Sequence, residues 1–451
     1  MDDMFAELDT LVSLIASSVD KLKQEFKESG KPVPSIHSTE SHPFDTGPIS
    51  QRFDDALRTV QGACAQLTTL VSPPQLTVAN LGFSQYTTAC IGVVLKAKVA
   101  DHLQSKSEGM PISRLAEVTK VDVNKLARVL RLLATKQCFR EVSPDIFANN
   151  RLSILLVDGS PFSALTKLMS DENYHAGCAL ADTLLDPVAT SSSSPKDSPF
   201  SRALRYDGSL WDWYKDVDPE KGERFGQAMI GFSAILKYDS ILNGFPWKDQ
   251  PQGTTVCDVG GGVGHISMHF AKACPQLHLT VQDRPETVEQ ALQLWNNAEP
   301  EIMKEGRVNF VPINFLEESP VKGCDYYFLK SVIHDWADPD CRRILTNVKK
   351  VMKPTARLII HECLIQHVSK DDSEESHFVS TAPKPLLPNY GEGRIFEYLM
   401  DICMLGLVNA KERTLREFIA LGKDCGLELV KVWDCGLQNS LEFKLANVWV
   451  K

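Results

Sequence analysis

A chain of 451 residues with 43% hydrophobic, 24% charged and 8% aromatic residues is composed like a soluble globular protein of two or three domains. Its formal net charge of -10 speaks against a nucleic-acid or anionic-membrane surface, because phosphate binding needs a basic face. The first residues, Met-Asp-Asp-Met-Phe-Ala-Glu-Leu-Asp, lack the basic and apolar stretches of a secretory signal, and no apolar run approaches the roughly 18 residues of a membrane helix. Twelve cysteines, scattered from Cys64 to Cys435 without a C-x-x-C pair, predict reduced thiols in a cytoplasmic setting.

The spacing of Phe5, Leu8, Val12, Ile15, Val19 and Leu22 predicts a first helix over 4–27. A polar stretch over 29–48 reads as a linker, so residues 1–48 form a helix and linker. Further helical patterns run over 52–71 and 79–103. Residues 111–155 are a winged-helix pattern: a short helix through Ile112, Leu115 and Val118, a second over 125–133, then a hairpin around Ser143-Pro144-Asp145. Lys125, Arg128 and Arg131 lie in the helix that would read DNA. Its apolar face and the acidic balance favour a packing or dimerisation module, assigned to 49–155. Residues 156–245 read as connecting helices. The low-complexity runs 187–199 and 367–391 read as exposed loops.

From about residue 246 the rhythm alternates strand and helix. Strands are predicted at 254–259, 278–282, 308–312, 326–329 and 357–362, with helices between them. Asp338-Pro339 is expected to open one of these helices, with an N-cap and a proline at the first position. The alternation predicts an α/β architecture, a Rossmann-like doubly wound sheet over 246–451 that binds ligands at the carboxyl ends of its strands.

Directly after the first strand stands Asp258-Val259-Gly260-Gly261-Gly262-Val263-Gly264. Glycine lets the backbone turn tightly and approach a ligand, although a glycine cluster by itself is also a plain turn. The third glycine of a dinucleotide fingerprint is absent, and Asp283 ends the second strand, where a carboxylate accepts ribose hydroxyls. Together they point to an adenosyl ligand, S-adenosylmethionine before NAD. Downstream, His334 follows a strand end in Lys330-Ser331-Val332-Ile333-His334-Asp335-Trp336. A phenol has a pKa of about 10 and an imidazole about 6.5, so a histidine is a fitting base for a phenolic proton. Glu362 and Glu412 are candidate carboxylates for its other nitrogen, although each taken alone reads as a solvated surface group. His265 and His269 share a helix face without an accompanying carboxylate, and no metal site is predicted.

These motifs, with Gln282-Asp283-Arg284-Pro285 and Lys411-Glu412-Arg413-Thr414, resemble the plant-type caffeate and flavonoid O-methyltransferases and their fungal secondary-metabolite relatives, from about residue 80 onward. The resemblance implies an S-adenosylmethionine site at Asp258, Gly260, Gly262, Asp283, Asn314, Phe315 and Lys330. It makes His334 the general base, flanked by Glu362 and Glu412. It places Trp211, Met229, Asp401 and Met404 at the substrate, an aromatic or polyketide-like small molecule, and it implies a homodimer with no nucleic-acid or membrane partner. Some fungal proteins of this fold instead bind the cofactor unconsumed and catalyse pericyclisation or dehydration, which is the alternative activity. Departures are Asn314 where the family carries an aspartate, Ser331 where plant members carry tryptophan, insertions near 190 and 375, and a first 75 residues without counterpart.

Overall fold

The computed structural model describes residues 5–446 apart from 48, 237, 371–377 and 379. The main sheet has seven strands: β1 (Thr255–Val259), β2 (His278–Asp283), β3 (Val308–Pro312), β4 (Tyr326–Lys330), β5 (Arg357–Glu362), β6 (Leu427–Cys435) and β7 (Gln438–Leu445). Their order is β3-β2-β1-β4-β5-β7-β6. The first five are parallel, as expected from the alternating pattern. Strand order reverses between β1 and β4, and that switch point opens a crevice at the strands' carboxyl ends. The last two strands run antiparallel, outside the doubly wound expectation. A tight turn joins them, where Asp434 accepts the Gly436 amide at 2.9 Å, and so short a connection permits only antiparallel neighbours.

Each central strand feeds two layers with alternate side chains. On β4, Tyr327 and Leu329 pack with Leu345, Val348 and Phe418 on one face, while Phe328 packs with Trp247 and Phe270 on the other. Burial on both faces is what makes these strands read as continuous apolar runs.

The winged-helix pattern is present as helices Ile112–Thr119 and Val123–Thr135 with strands Arg140–Ser143 and Ile146–Ala148. Met110–Pro111 adds a third strand. Leu126, Leu130 and Leu133 are buried, and Arg131 pairs with Asp145 and Glu141 of the hairpin, not with the surroundings.

Several expectations are corrected. The first helix, Ala6–Glu28, buries Leu11, whereas Phe5 and Val12 are each 54% exposed. Its partner helix, Gln51–Val71, meets the face centred on Leu11, rotated from the stripe that spacing suggested. The supposed linker is fastened: Arg151 pairs with Asp45 and donates its amide to the Ile36 carbonyl at 3.1 Å. The predicted helix over 79–103 is three pieces, Pro74–Phe83, Gln85–Lys96 and Val99–His102, with Lys98 left-handed before the last. By length and composition alone the stretch Pro74–Lys96 is apolar enough to cross a membrane, although polar residues interrupt it. Asp338 does not cap its helix; Ala337 holds the N-cap position, and Asp338 pairs with Arg413. The loop near 190 is largely exposed, yet Asn409 donates to the Ser192 and Ser194 carbonyls and Ser198 is buried. In the second loop, whose residues 371–377 and 379 lie outside the described ones, Ala382, Leu386 and Tyr390 are buried against Leu11 and Ala63.

Candidate active site

A cavity of about 670 Å³ lies over the carboxyl ends of β1, β2 and β4. Its far walls are the helices Leu210–Asp216, Pro219–Ile235 and Ile395–Val408. At one end β1 runs into the glycine loop, whose Gly260 and Gly261 amides both donate to the Gln282 carbonyl, at 2.8 and 3.2 Å. Gly260 has φ +74°, and a Cβ there would stand 2.8 Å from Val332 Cγ2. Gly262 has φ +59° and open space around its missing side chain. The loop therefore needs glycine for its backbone conformation and leaves room for a ligand.

Charge is concentrated beside this loop. Asp283 accepts from the Gly262 amide at 2.8 Å, and burial raises its carboxyl. Asp258 accepts from Ser267 Oγ at 2.6 Å, and burial raises it to about 6 against that hydrogen bond. Burial lowers Lys330 to about 8, while Glu362 and Asp258 oppose the shift. Phe315 joins these residues in the wall. Asn314 does not: it is exposed, its Oδ1 accepts from the Leu316 amide, and its own amide donates to Glu318. Its residue type serves the turn after β3, and it is not among the residues that line the cavity.

The second centre of charge follows β4. Ser331 takes φ +52°, and the chain then makes a single 3-10 turn, Ile333–Asp335. Glu362, at the end of β5, accepts the Val332 and Ile333 amides at 3.0 and 2.9 Å. His334 Nδ1 stands 2.6 Å from Glu412 Oε1 and 3.6 Å from Glu362 Oε2. With Nδ1 turned to two carboxylates, Nε2 is left on the cavity side, 3.6 Å from Asp335 Oδ1. Burial pushes the imidazole down, but Glu412, Glu362 and Asp335 outweigh it and raise it to about 10. Burial raises Asp335 to about 6, against His334. It also raises Glu362.

His334, Glu362 and Glu412 bring ligand-type atoms within 4.8 Å of one another. Two ligands on one tetrahedral zinc ion sit about 3.3 Å apart. The separation of 2.6 Å between Nδ1 and Oε1 is that of a charge-assisted hydrogen bond holding a proton.

The end away from the glycine loop is mainly apolar. Trp211 and Phe225 meet edge to face at 5.3 Å, and Met229 and Phe232 continue the wall. On helix Ile395–Val408 the residues facing the cavity are Met400, Cys403, Met404, Leu407 and Val408, an i, i+3, i+4, i+7, i+8 stripe. Asp401 is off that stripe by one residue, about 100° around the helix, and does not line the cavity as expected. Its Oδ1 instead accepts the Glu412 amide at 2.9 Å. The sequence reading passed over Trp336, which lines the cavity and stands edge-on to Phe315 at 5.8 Å. It also passed over Arg413, which is buried and donates to the Ile333 and Trp336 carbonyls at 2.9 and 2.8 Å, on either side of His334. Both belong to motifs singled out for other members, which was the available signal. His265 bonds Ser233 Oγ at 2.6 Å, and burial lowers its imidazole to about 3, so it stays neutral.

A family model described as an O-methyltransferase domain matches residues 183–428, and one described as an O-methyltransferase dimerisation domain matches residues 80–159. The chain belongs to the O-methyltransferase family. This O-methyltransferase is 37% identical to 3-O-methyltransferase 2 of Phanerochaete chrysosporium over 439 residues, 97% of either chain. The solved mitomycin 7-O-methyltransferase MmcR superposes with a TM-score of 0.67 at 26% identity, over 83% of this chain and 98% of that one. A solved pericyclic reaction enzyme superposes with a TM-score of 0.69 at 18% identity, over 96% of this chain and 100% of that one. That likeness concerns the fold alone.

The cofactor of the family is S-adenosylmethionine, and the glycine-loop end fits it. Open space beside Gly262 admits a ligand against bare backbone, and Asp283 offers half-buried carboxylate oxygens at a strand end. Replacing Asp283 with alanine is expected to weaken S-adenosylmethionine binding by at least about tenfold, through loss of charge-assisted hydrogen bonds. Calorimetry on the folded variant checks this; an unchanged affinity would remove Asp283 from the cofactor site.

Proposed function

We propose that the enzyme methylates a phenolic or enolic hydroxyl of an aromatic or polyketide-like natural product of secondary metabolism, with His334 as general base. The observation that carries this reading is the orientation of His334: Nδ1 is held by Glu412 at 2.6 Å while the opposite edge faces an aromatic and methionine-lined cavity.

S-adenosylmethionine supplies an electrophilic methyl group on a cationic sulfur. The chain's own work is to place and deprotonate the acceptor. A neutral phenol is a weak nucleophile with a pKa of about 10, so its proton has to leave as the oxygen attacks. His334 Nε2 takes that proton, and the resulting imidazolium is stabilised by Glu412 and Glu362. The same carboxylates raise the imidazole above its ordinary value and so strengthen it as a base. The apolar wall supplies orientation, the largest further contribution to a displacement between bound partners.

The assembly we propose is a homodimer. Its support is the dimerisation-domain match and the apolar side chains of Leu76, Val78, Leu81 and Phe83, which are 55–69% exposed in a single chain. The twelve cysteines are all unpaired, in keeping with a cytoplasmic setting.

Incubation with methyl-labelled S-adenosylmethionine and a panel of phenolic and pyridone-like compounds is expected to give labelled product and S-adenosylhomocysteine. A rearranged or dehydrated product with the cofactor intact would replace methyl transfer by the pericyclase activity. His334→Ala is expected to lower transfer by at least about 100-fold while calorimetry still detects cofactor binding. Glu412→Gln removes a negative charge that favours the imidazolium, so the imidazole pKa falls. The rising limb of kcat against pH is then expected to move to lower pH; a limb that stays or moves upward would contradict the electrostatic role of Glu412. Light scattering at micromolar concentration should report a dimer, and a monomer there would sink the dimer assignment.

A further inference from the structure

Residues 6–71 lie outside both family matches, yet they fold as two paired helices, Ala6–Glu28 and Gln51–Val71. The second helix docks on the 3-10 turn Gly391–Arg394, which leads directly into the acceptor-wall helix Ile395–Val408. Two glycines make that docking possible. A Cβ on Gly62 would stand under 3.0 Å from the Tyr390 carbonyl oxygen, and one on Gly393 under 3.0 Å from the Arg58 carbonyl oxygen. Each glycine lets the opposing backbone come closer than any side chain tolerates.

The contact is stiff on both sides. Arg394 Nε pairs with Glu397 Oε1 at 2.9 Å, with side chains only 5% and 1% exposed, and this locks the turn to the first turn of the wall helix. Arg58, buried and paired with Asp54 at 2.6 Å, donates to the Gly436 carbonyl at 3.0 Å. Gln66 donates to the Pro385 carbonyl at 3.1 Å. On the other flank the segment between the two helices is tied to Arg151, at the end of the winged module. One structural unit thus spans the module that precedes the cavity and the helix that walls it.

We propose that the N-terminal helix pair is a positioning element for the acceptor. By seating Tyr390–Gly393 it fixes the rotation and height of helix Ile395–Val408. That helix carries Met400, Cys403, Met404 and Leu407 into the cavity, and its Asp401 holds the backbone of Glu412, the carboxylate on His334. The inference rests on the reading of this end of the cavity as the acceptor site. A shift of the wall would misplace the acceptor and leave the glycine-loop end untouched.

The test uses full-length Gly62→Ala and Gly393→Ala, with Gly177→Ala as control, since nothing stands within 4 Å of a Cβ at Gly177. Hydrogen exchange of the amides of 399–408 should accelerate by at least about tenfold in both variants and stay unchanged in the control. Exchange in β1 and β2 should not move. KM for the acceptor found in the labelling assay should rise by at least about fivefold, more than kcat falls, with S-adenosylmethionine affinity unchanged by calorimetry. Arg58→Met, which removes the tie to Gly436 without adding bulk, should give the same pattern in smaller size and serves if a glycine variant does not fold. Three results would overturn the proposal: exchange in 399–408 that does not change, acceleration spread evenly over all strands, or a loosened helix with an unaltered KM. A wild-type enzyme that methylates nothing would count against the acceptor reading alone, and the exchange comparison would still decide whether the helix pair holds the wall.

Discussion

The geometry of the site depends on one buried carboxylate. Glu362 accepts two successive amides, those of Val332 and Ile333, and in doing so bends the chain after β4 so that His334 points into the cavity. The same side chain leaves Oε2 3.6 Å from the imidazole. A carboxylate with no exposure needs hydrogen bonds and opposite charge to compensate its lost hydration, and here two amides bond one oxygen while the imidazole stands beside the other. Orientation of His334 and stabilisation of its charged form therefore have a common cause.

The sheet makes this arrangement reproducible. Parallel pairing sets Lys330 of β4 opposite His361 of β5, so Glu362, one residue on, falls beside the turn that carries His334. Arg413 closes the turn from the other side by donating to the carbonyls of Ile333 and Trp336. On the β1 side the register of β1 with β2 brings Gln282 under the glycine loop and Asp283 to its edge. Two strand pairs thus define two ends of one cavity, one built of backbone and charge, the other carrying His334.

The helices over the cavity follow a different rule. Their cavity faces are mainly methionine, leucine and aromatic side chains, polarisable and adaptable, with Lys215, Glu223 and Ser233 among them. Such walls discriminate by shape, and apolar pockets separate related molecules by only modest factors. The sheet thus positions the charged groups of the cavity, and the helices supply most of its apolar wall.

How much of this was legible in the chain depends on the range of the interaction. The alternating strands, the glycine loop and the strand-end positions of Asp283 and His334 could be read directly, because period-two and period-3.6 patterns and backbone freedom are local properties. The winged module was equally plain, and its apolar helix face already spoke for packing. Local pattern failed where two surfaces choose each other. Leu11 is buried in place of Val12 because the partner helix, not the spacing, decides which stripe is covered. Met404 reaches the cavity and Asp401 does not, because the rotation of that helix is set by what it docks on. The antiparallel β6–β7 pair, the turn role of Asn314 and the meeting of Glu362, Glu412 and His334 are likewise tertiary facts. Residue types announced which groups could act as acid, base or cofactor cradle. Only strand register and helix docking, which join residues far apart in the chain, decided which of them stand within hydrogen-bonding reach of one another.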